Sequence, residues 1–142
     1  MKKFVTISSV KTKVHQLVTK NEEEMKTIDF VVGMSRGGLI PAALLATEIN
    51  KPLVTIYIDK QDNFYLDRAE WLQNKTILFV DDVCRTGSTM FGAVLYLKNQ
   101  VPTAVIKVMT LFDIVSIDKK THPQISHKSQ EDVIFPWDYD RK

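Results

Sequence analysis

Residues 77–90 read ILFVDDVCRTGSTM, from Ile77 to Met90. Four apolar residues, Ile77 to Val80, run straight into two adjacent carboxylates, Asp81 and Asp82. A glycine set among three hydroxyls follows, Thr86-Gly87-Ser88-Thr89, at the start of a helical pattern over Ser88 to Asn99. An apolar run without polar alternation suits a strand buried on both faces, as in a parallel sheet. On a regular strand Asp81 and Asp82 would point to opposite faces, one of them into the core at heavy cost. The expectation is therefore that the strand ends at this pair and that both carboxylates reach solvent, a sugar diol or a metal. At Thr86 to Thr89, free N–H groups, hydroxyls and the positive end of a helix dipole converge, which makes a site for a phosphate.

A carboxylate pair beside a phosphate cradle suggests a phosphorylated sugar, with Mg²⁺ moderating the charge and Asp82 as its candidate ligand. Taken alone, the same residues also read as strand-end solvation followed by ordinary helix capping, since Ser, Thr and Asp are common caps.

Outward from this stretch, short runs rich in β-branched residues recur at Phe30 to Val32, Leu53 to Ile58 and Ala104 to Phe112. Helical patterns lie between them at Pro41 to Asn50 and Ser88 to Asn99, and Val10, Val14, Leu17 and Val18 mark a first helix that Ser8 or Ser9 could cap. Glu22 to Glu24 reads as a solvated stretch near its end. Strands alternating with helices argue for an α/β fold with an open, mostly parallel sheet. Ligands then bind beyond the carboxyl ends of the strands. A second loop leaves such an end, Gly33-Met34-Ser35-Arg36-Gly37-Gly38, where glycines permit close backbone approach and Arg36 offers a planar fork for phosphate. Neither GxGxxG nor GxxxxGK[ST] occurs, so dinucleotide-fold and P-loop assignments lack their central feature. Residues 59–75, DKQDNFYLDRAEWLQNK, break the alternation and offer at most a short helix around Asp67 to Gln73. A segment this long between strands is often functional.

Composition narrows the classes. The 142 residues, 44% hydrophobic and 25% charged, fit one domain spanning 1–142. Without an N-terminal apolar leader or a membrane-length apolar run, a soluble cytoplasmic protein with no membrane partner is expected. A net charge of +2 with dispersed lysines gives no nucleic-acid footprint. The single cysteine, Cys84, cannot form an internal disulfide and reads as an apolar filler rather than a nucleophile, having no His nearby in sequence. His122 and His127 are too poorly spaced to suggest a metal site, and Trp71 and Trp137 read as packing anchors.

The stretch Val80-Asp81-Asp82-Val83-Cys84-Arg85-Thr86-Gly87-Ser88-Thr89 resembles the phosphoribosyl pyrophosphate (PRPP) signature of type I phosphoribosyltransferases: an apolar strand, two acids, then TGxT. Ser35-Arg36-Gly37-Gly38 resembles that family's pyrophosphate loop. Met34 to Ala46, MSRGGLIPAALLA, is similar to xanthine-guanine phosphoribosyltransferases, and Phe135-Pro136-Trp137-Asp138 resembles their C-terminal ending. The resemblance implies an open, mostly parallel sheet flanked by helices, with a hood, here residues 59–75, over the strand ends. It implies transfer of ribose 5-phosphate from PRPP to a nucleobase-like acceptor, with Mg²⁺ and release of pyrophosphate. By position, Ser35, Arg36, Gly37 and Gly38 would hold pyrophosphate; Asp81 and Asp82 would engage the ribose hydroxyls and the Mg–PRPP complex; Val83, Cys84 and Arg85 would continue the site; and Thr86, Gly87, Ser88 and Thr89 would bind the 5′-phosphate. Lys60, Tyr65 and Arg68 are candidate hood contributors. Assembly as a homodimer or homotetramer is also implied. The alternative is a PRPP-binding regulatory protein without transferase activity.

Three positions depart from the purine-specific pattern of that family. Arg85 stands where an acid precedes TGxT, no lysine occurs at Asp113 or Ile114 where one would read a 6-oxo group, and Asp132 stands where an aromatic would stack on the base. The PRPP half of the site is retained while the acceptor half is rewritten.

Overall fold

The computed structural model describes residues 2 to 138; Met1 and residues 139–142, the two ends of the expected 1–142 domain, lie outside the described residues. Strand β1 (Lys2–Phe4) precedes helices α1 (Ile7–Lys20) and α2 (Glu22–Lys26), followed by β2 (Phe30–Ser35), α3 (Leu39–Ile49), β3 (Leu53–Ile58) and β4 (Phe64–Leu66). A single 3-10 turn (Ala69–Trp71) leads to β5 (Thr76–Cys84), α4 (Ser88–Gln100), β6 (Val105–Ile114), β7 (Ile125–Ser129) and β8 (Asp132–Ile134).

Six strands form one sheet in the order β4-β3-β2-β5-β6-β7, parallel except for the β3–β4 hairpin, and β1 pairs with β8 in a separate parallel pair. The expected open, mostly parallel α/β sheet is therefore present. Chain order runs outward from β2 to β3 on one side and from β5 to β7 on the other, so the switch point lies between β2 and β5.

The unbroken apolar runs are explained by burial on two faces. Val31, Leu78, Val80, Met109 and Leu111 pack with α1 and α3 residues such as Val14, Leu17, Ala42 and Leu45. Their sequence neighbours Val32, Ile77, Phe79 and Val108 pack with Met90, Ala93 and Leu97 of α4. Period-two alternation thus sends successive apolar residues into two different cores.

Local details differ from the sequence expectations for physical reasons. Helix α1 is capped by Thr6, whose hydroxyl accepts the Ser9 N–H at 3.0 Å, because Ser8 and Ser9 already lie in the first turn. Residues Glu22 to Glu24 are exposed just past the end of α1, as expected, but they are ordered as the first turn of the separate short helix α2. The helix expected around Asp67 to Gln73 is only the 3-10 turn, and the segment before it adds β4 to the sheet edge. Strand β7 is short and polar, as edge strands often are, and β8 has only three residues, so neither carries a periodic signal in the sequence.

Asp113, at the end of β6, is fully buried and gathers two lysines and a histidine around it. Lys128 Nζ donates to Oδ2 at 2.7 Å, His122 Nδ1 lies 3.4 Å from the same oxygen, and Lys119 Nζ lies 3.3 Å from Oδ1. Burial pushes the Asp113 carboxyl up, but hydrogen bonds from Lys128, Lys119 and His122 outweigh it and hold the carboxyl below its ordinary value. Lys119 is itself only 5% exposed. Asp113→Ala should therefore strand a buried ammonium and cost about 3–5 kcal/mol in urea denaturation at neutral pH. Because the folded-state pKa of Asp113 is depressed, that stabilisation is present above the unfolded carboxylate value of about 3.9 and is lost as pH falls through the lower folded value. The gap between wild type and variant should close in strong acid, and equal midpoints at pH 7 would reject the role.

Candidate active site

The acid pair does not terminate its strand. Strand β5 continues through Asp81 and Asp82 to Cys84, which corrects the expectation that it stops at the carboxylates. Its pairing is one-sided there. Strand β2 last matches it at Gly33–Val80, whereas β6 continues beside it through Asp81–Thr110, Val83–Phe112 and Cys84–Asp113. One edge of β5 is thus released from β2 beside the carboxylates, and the crevice opens at the switch point. Asp81 and Asp82 both line the cleft that opens there.

Both carboxylates are largely withdrawn from water. Burial raises the Asp81 pKa well above its ordinary value, and the neighbouring Asp82 charge raises it further. Burial also raises Asp82, although hydrogen bonds from Trp137 and with Asp81 pull the other way. The Asp81 carboxylate accepts the Asp82 backbone N–H at 2.8 Å, and Asp82 Oδ2 accepts the Trp137 indole N–H at 2.9 Å. Among the described residues neither carboxylate has a Lys or Arg ion-pair partner. A close pair of under-compensated oxygen donors fits a hard divalent cation such as Mg²⁺, with substrate phosphates and water completing the coordination. The described residues contain no group of three or more acidic, His or Cys side chains able to hold a metal by themselves.

Arg36 and the glycines sit where β2 gives way to α3. The strand runs to Ser35, so the first half of the expected Gly33–Gly38 loop is strand, and the Ser35–Arg36 peptide is cis. Ser35, Arg36 and Gly37 share a cleft of about 610 Å³ with Met34, Ile58, Asp81, Asp82, Thr89, Trp137 and Asp138. Gly38 is the N-cap of α3. Gly37 lies so close to the acid pair that a Cβ there would stand 2.2 Å from Asp82 Oδ2. The loop and the carboxylate can meet only because position 37 has no side chain.

The second loop forms an adjoining hollow of about 240 Å³ lined by residues 81–90. Gly87, at φ 84°, is the N-cap of α4, which has no side-chain cap hydrogen bond. The Thr86 hydroxyl donates to Ser88 Oγ at 3.1 Å and also faces the Ser88 N–H at 3.3 Å. Side-chain capping of the ordinary kind is therefore not what orders these hydroxyls. The helix start is left able to meet an anion. Cys84 is buried, burial pushes its thiol up, and its Sγ lies 3.7 Å from the Thr121 carbonyl, all in keeping with a filler. Val83 packs against the α1/α3 core.

The rewritten positions prove to be coupled. Arg85 Nε donates to Asp132 Oδ1 at 2.9 Å and Nη2 to the Val133 carbonyl at 3.3 Å, tying the phosphate loop to β8. Asp113 is the buried cation hub. Although no lysine occupies position 113 or 114, Lys119 arrives from the β6–β7 loop: its Nζ donates to the Cys84 carbonyl at 3.2 Å and to the carbonyls of Arg85 and Ile114. Sequence position alone could not reveal it, since Lys119 sits in a polar tract with no periodicity. Trp137 and Asp138, marked in the sequence only as part of the Phe135–Asp138 ending, both line the cleft. Of the expected hood residues, Tyr65 donates to Asp59 Oδ2 at 3.2 Å and Arg68 lies over the Trp71 ring at 5.2 Å. The cleft takes only Ile58 from this side, so Lys60, Tyr65 and Arg68 do not line it here.

Comparison with known proteins agrees with this geometry. The chain is 28% identical over 118 residues, 76% of its length and 70% of the relative's, to the xanthine-guanine phosphoribosyltransferase of Idiomarina loihiensis. It superposes on the purine phosphoribosyltransferase of Pyrococcus horikoshii with a TM-score of 0.78 and 26% identity, covering 96% of this chain and 93% of that one. The xanthine-guanine-hypoxanthine phosphoribosyltransferase of Helicobacter pylori shares the fold at a TM-score of 0.80 and 18% identity, covering 99% and 96% of the two chains. With the family model for the phosphoribosyl transferase domain matching residues 6–142, the chain belongs to the phosphoribosyltransferase family, close to its 6-oxopurine members.

Proposed function

We propose that this protein transfers ribose 5-phosphate from PRPP to a nucleobase-like acceptor and releases pyrophosphate, in the service of nucleotide salvage. The observation that carries the reading is the convergence at one switch point of an arginine-glycine loop, a buried acid pair and a capless helix start. These three elements match in charge and order the three parts of PRPP: pyrophosphate, ribose and 5′-phosphate.

Bond cleavage at C1′ builds positive charge on the ribose and negative charge on the departing pyrophosphate. Arg36 and the backbone of Gly37 meet the departing charge, while Asp81 and Asp82 face the ribose. Thr86 to Thr89 anchor the 5′-phosphate and fix the sugar relative to its attacker. Mg²⁺, held through Asp82 together with the substrate's own oxygens, would neutralise the pyrophosphate charge. Segment 59–75 would have to close over the cleft to exclude water from the reactive sugar.

Acceptor choice falls on the Arg85–Asp132 pair. A site built to hydrogen-bond a particular base discriminates strongly, because each polar group left unpaired costs about 1–3 kcal/mol. Arg85 is committed to Asp132 and Val133, so guanine, xanthine and hypoxanthine should be poor acceptors.

Asp81→Asn combined with Asp82→Asn should abolish Mg–PRPP binding by calorimetry. The same change should leave the fold intact and raise its stability at neutral pH. The sign follows from the raised folded-state pKa values: the folded protein binds protons more tightly than the unfolded one, so ionised carboxylates cost stability as pH rises. Unaltered PRPP affinity in the double variant would remove the site assignment. Arg36→Ala should weaken pyrophosphate and PRPP far more than ribose 5-phosphate; equal losses for all three would show that Arg36 does not meet the pyrophosphate. Arg85→Asp alone sets two carboxylates against each other, so the informative change is Arg85→Asp with Asp132→Trp, which should gain 6-oxopurine turnover in a pyrophosphate-release assay. Efficient guanine turnover by the unaltered protein would overturn the acceptor argument while leaving the transferase in place.

A further inference from the structure

Among the described residues, the C-terminal segment hydrogen-bonds to the acid pair through Trp137. Trp137 follows β8, its ring stacks on Phe135 with centroids 4.7 Å apart and planes 5° from parallel, and Phe135 is itself 1% exposed. The Phe135 backbone N–H donates to Asp138 Oδ2 at 2.9 Å, closing a tight turn that fixes the indole's direction. From that fixed platform Nε1 reaches Asp82 Oδ2 at 2.9 Å. Gly37 approaches the same oxygen so closely that a Cβ there would stand 2.2 Å from it. The Asp82 carboxylate is thus neighboured by both the indole and the arginine-glycine loop.

We propose that Trp137 is the positioning residue for Asp82: its indole N–H fixes the carboxylate plane so that the acid and the Ser35–Gly38 loop present one preformed surface to the metal-bound pyrophosphate of PRPP. The role rests on the transferase reading above and goes beyond it. The stacking contact and the indole hydrogen bond have distinct tasks. Stacking on Phe135 aims the indole, and the indole aims the acid. A carboxylate held by one charge-assisted hydrogen bond loses little rotamer freedom when its ligand arrives, so the bond contributes to affinity through preorganisation. Through the close approach of Gly37 it bears on the Ser35–Gly38 loop, while Asp82 also borders the Thr86–Thr89 hollow.

Trp137→Phe tests this, because phenylalanine retains a ring to stack on Phe135 while removing the donor. Its affinities for Mg–pyrophosphate and Mg–PRPP should fall about tenfold or more, the expected loss for a hydrogen bond to a charged group. Ribose 5-phosphate, which meets Asp82 only through its sugar hydroxyls and carries no metal-bound pyrophosphate, should lose markedly less. Wild-type affinity for Mg–PRPP in Trp137→Phe would overturn the positioning role and leave the transferase reading untouched, and equal losses for all three ligands would reduce Trp137 to packing. If wild type itself fails to bind Mg–PRPP, both readings fall. A second measurement holds should Trp137→Phe not fold. Since the chain has two tryptophans, Trp71→Phe leaves Trp137 as its sole indole. In that background the indole ¹H–¹⁵N resonance should be protected from exchange and should move on Asp82→Ala; an indole resonance indifferent to Asp82→Ala overturns the proposal.

Discussion

Strand β5 keeps β6 beside it after β2 has left, and nearly everything functional in this molecule depends on that asymmetry. Past the Gly33–Val80 pair the strand is still rigid, because β6 continues to match it as far as Cys84. It is also free along one edge. A carboxylate pair placed there is held as firmly as a core residue yet opens onto a crevice. A flexible loop could offer the same charges but not the same fixed spacing.

That rigidity has a thermodynamic cost, expressed in the raised pKa values of Asp81 and Asp82. Two neighbouring carboxylates that have no Lys or Arg ion-pair partner among the described residues destabilise the fold at neutral pH, and the large two-sided core built on β5 and its neighbours offsets them. Their local compensation is limited to the Trp137 indole and backbone N–H groups. Charge that the protein leaves unbalanced is charge available to a ligand.

The other half of the site follows the opposite logic. Around the acceptor position the charged residues satisfy one another: Arg85 with Asp132, and Asp113 with Lys119, Lys128 and His122. Lys119 also fastens the β6–β7 loop to the carbonyls at the end of β5. The result is a pre-paired wall beside an unpaired cleft. Departures that look independent in the sequence are therefore members of two networks, and altering one member alone leaves a charge without its partner.

The sequence by itself determined strands β2, β3, β5 and β6, the parallel α/β class and the two loops proposed to hold ligand, because these rest on short-range patterns. Apolar runs, strand-to-helix alternation and a glycine among hydroxyls are local signals. It also marked Arg85, Asp113 and Asp132 as unusual, though only through the family likeness. Four things were decided by the tertiary structure. The continuation of β5 through its acids depended on β6 pairing, which no local pattern encodes. Strand β8 was too short to announce itself, yet it carries Asp132 to Arg85 across 47 positions. Lys119 enters the site from a polar tract, and Trp137 reaches Asp82 across 55 positions. Hydrogen bonds and ion pairs act over about 3 Å in space regardless of separation along the chain, so only the folded sheet could say which charges meet.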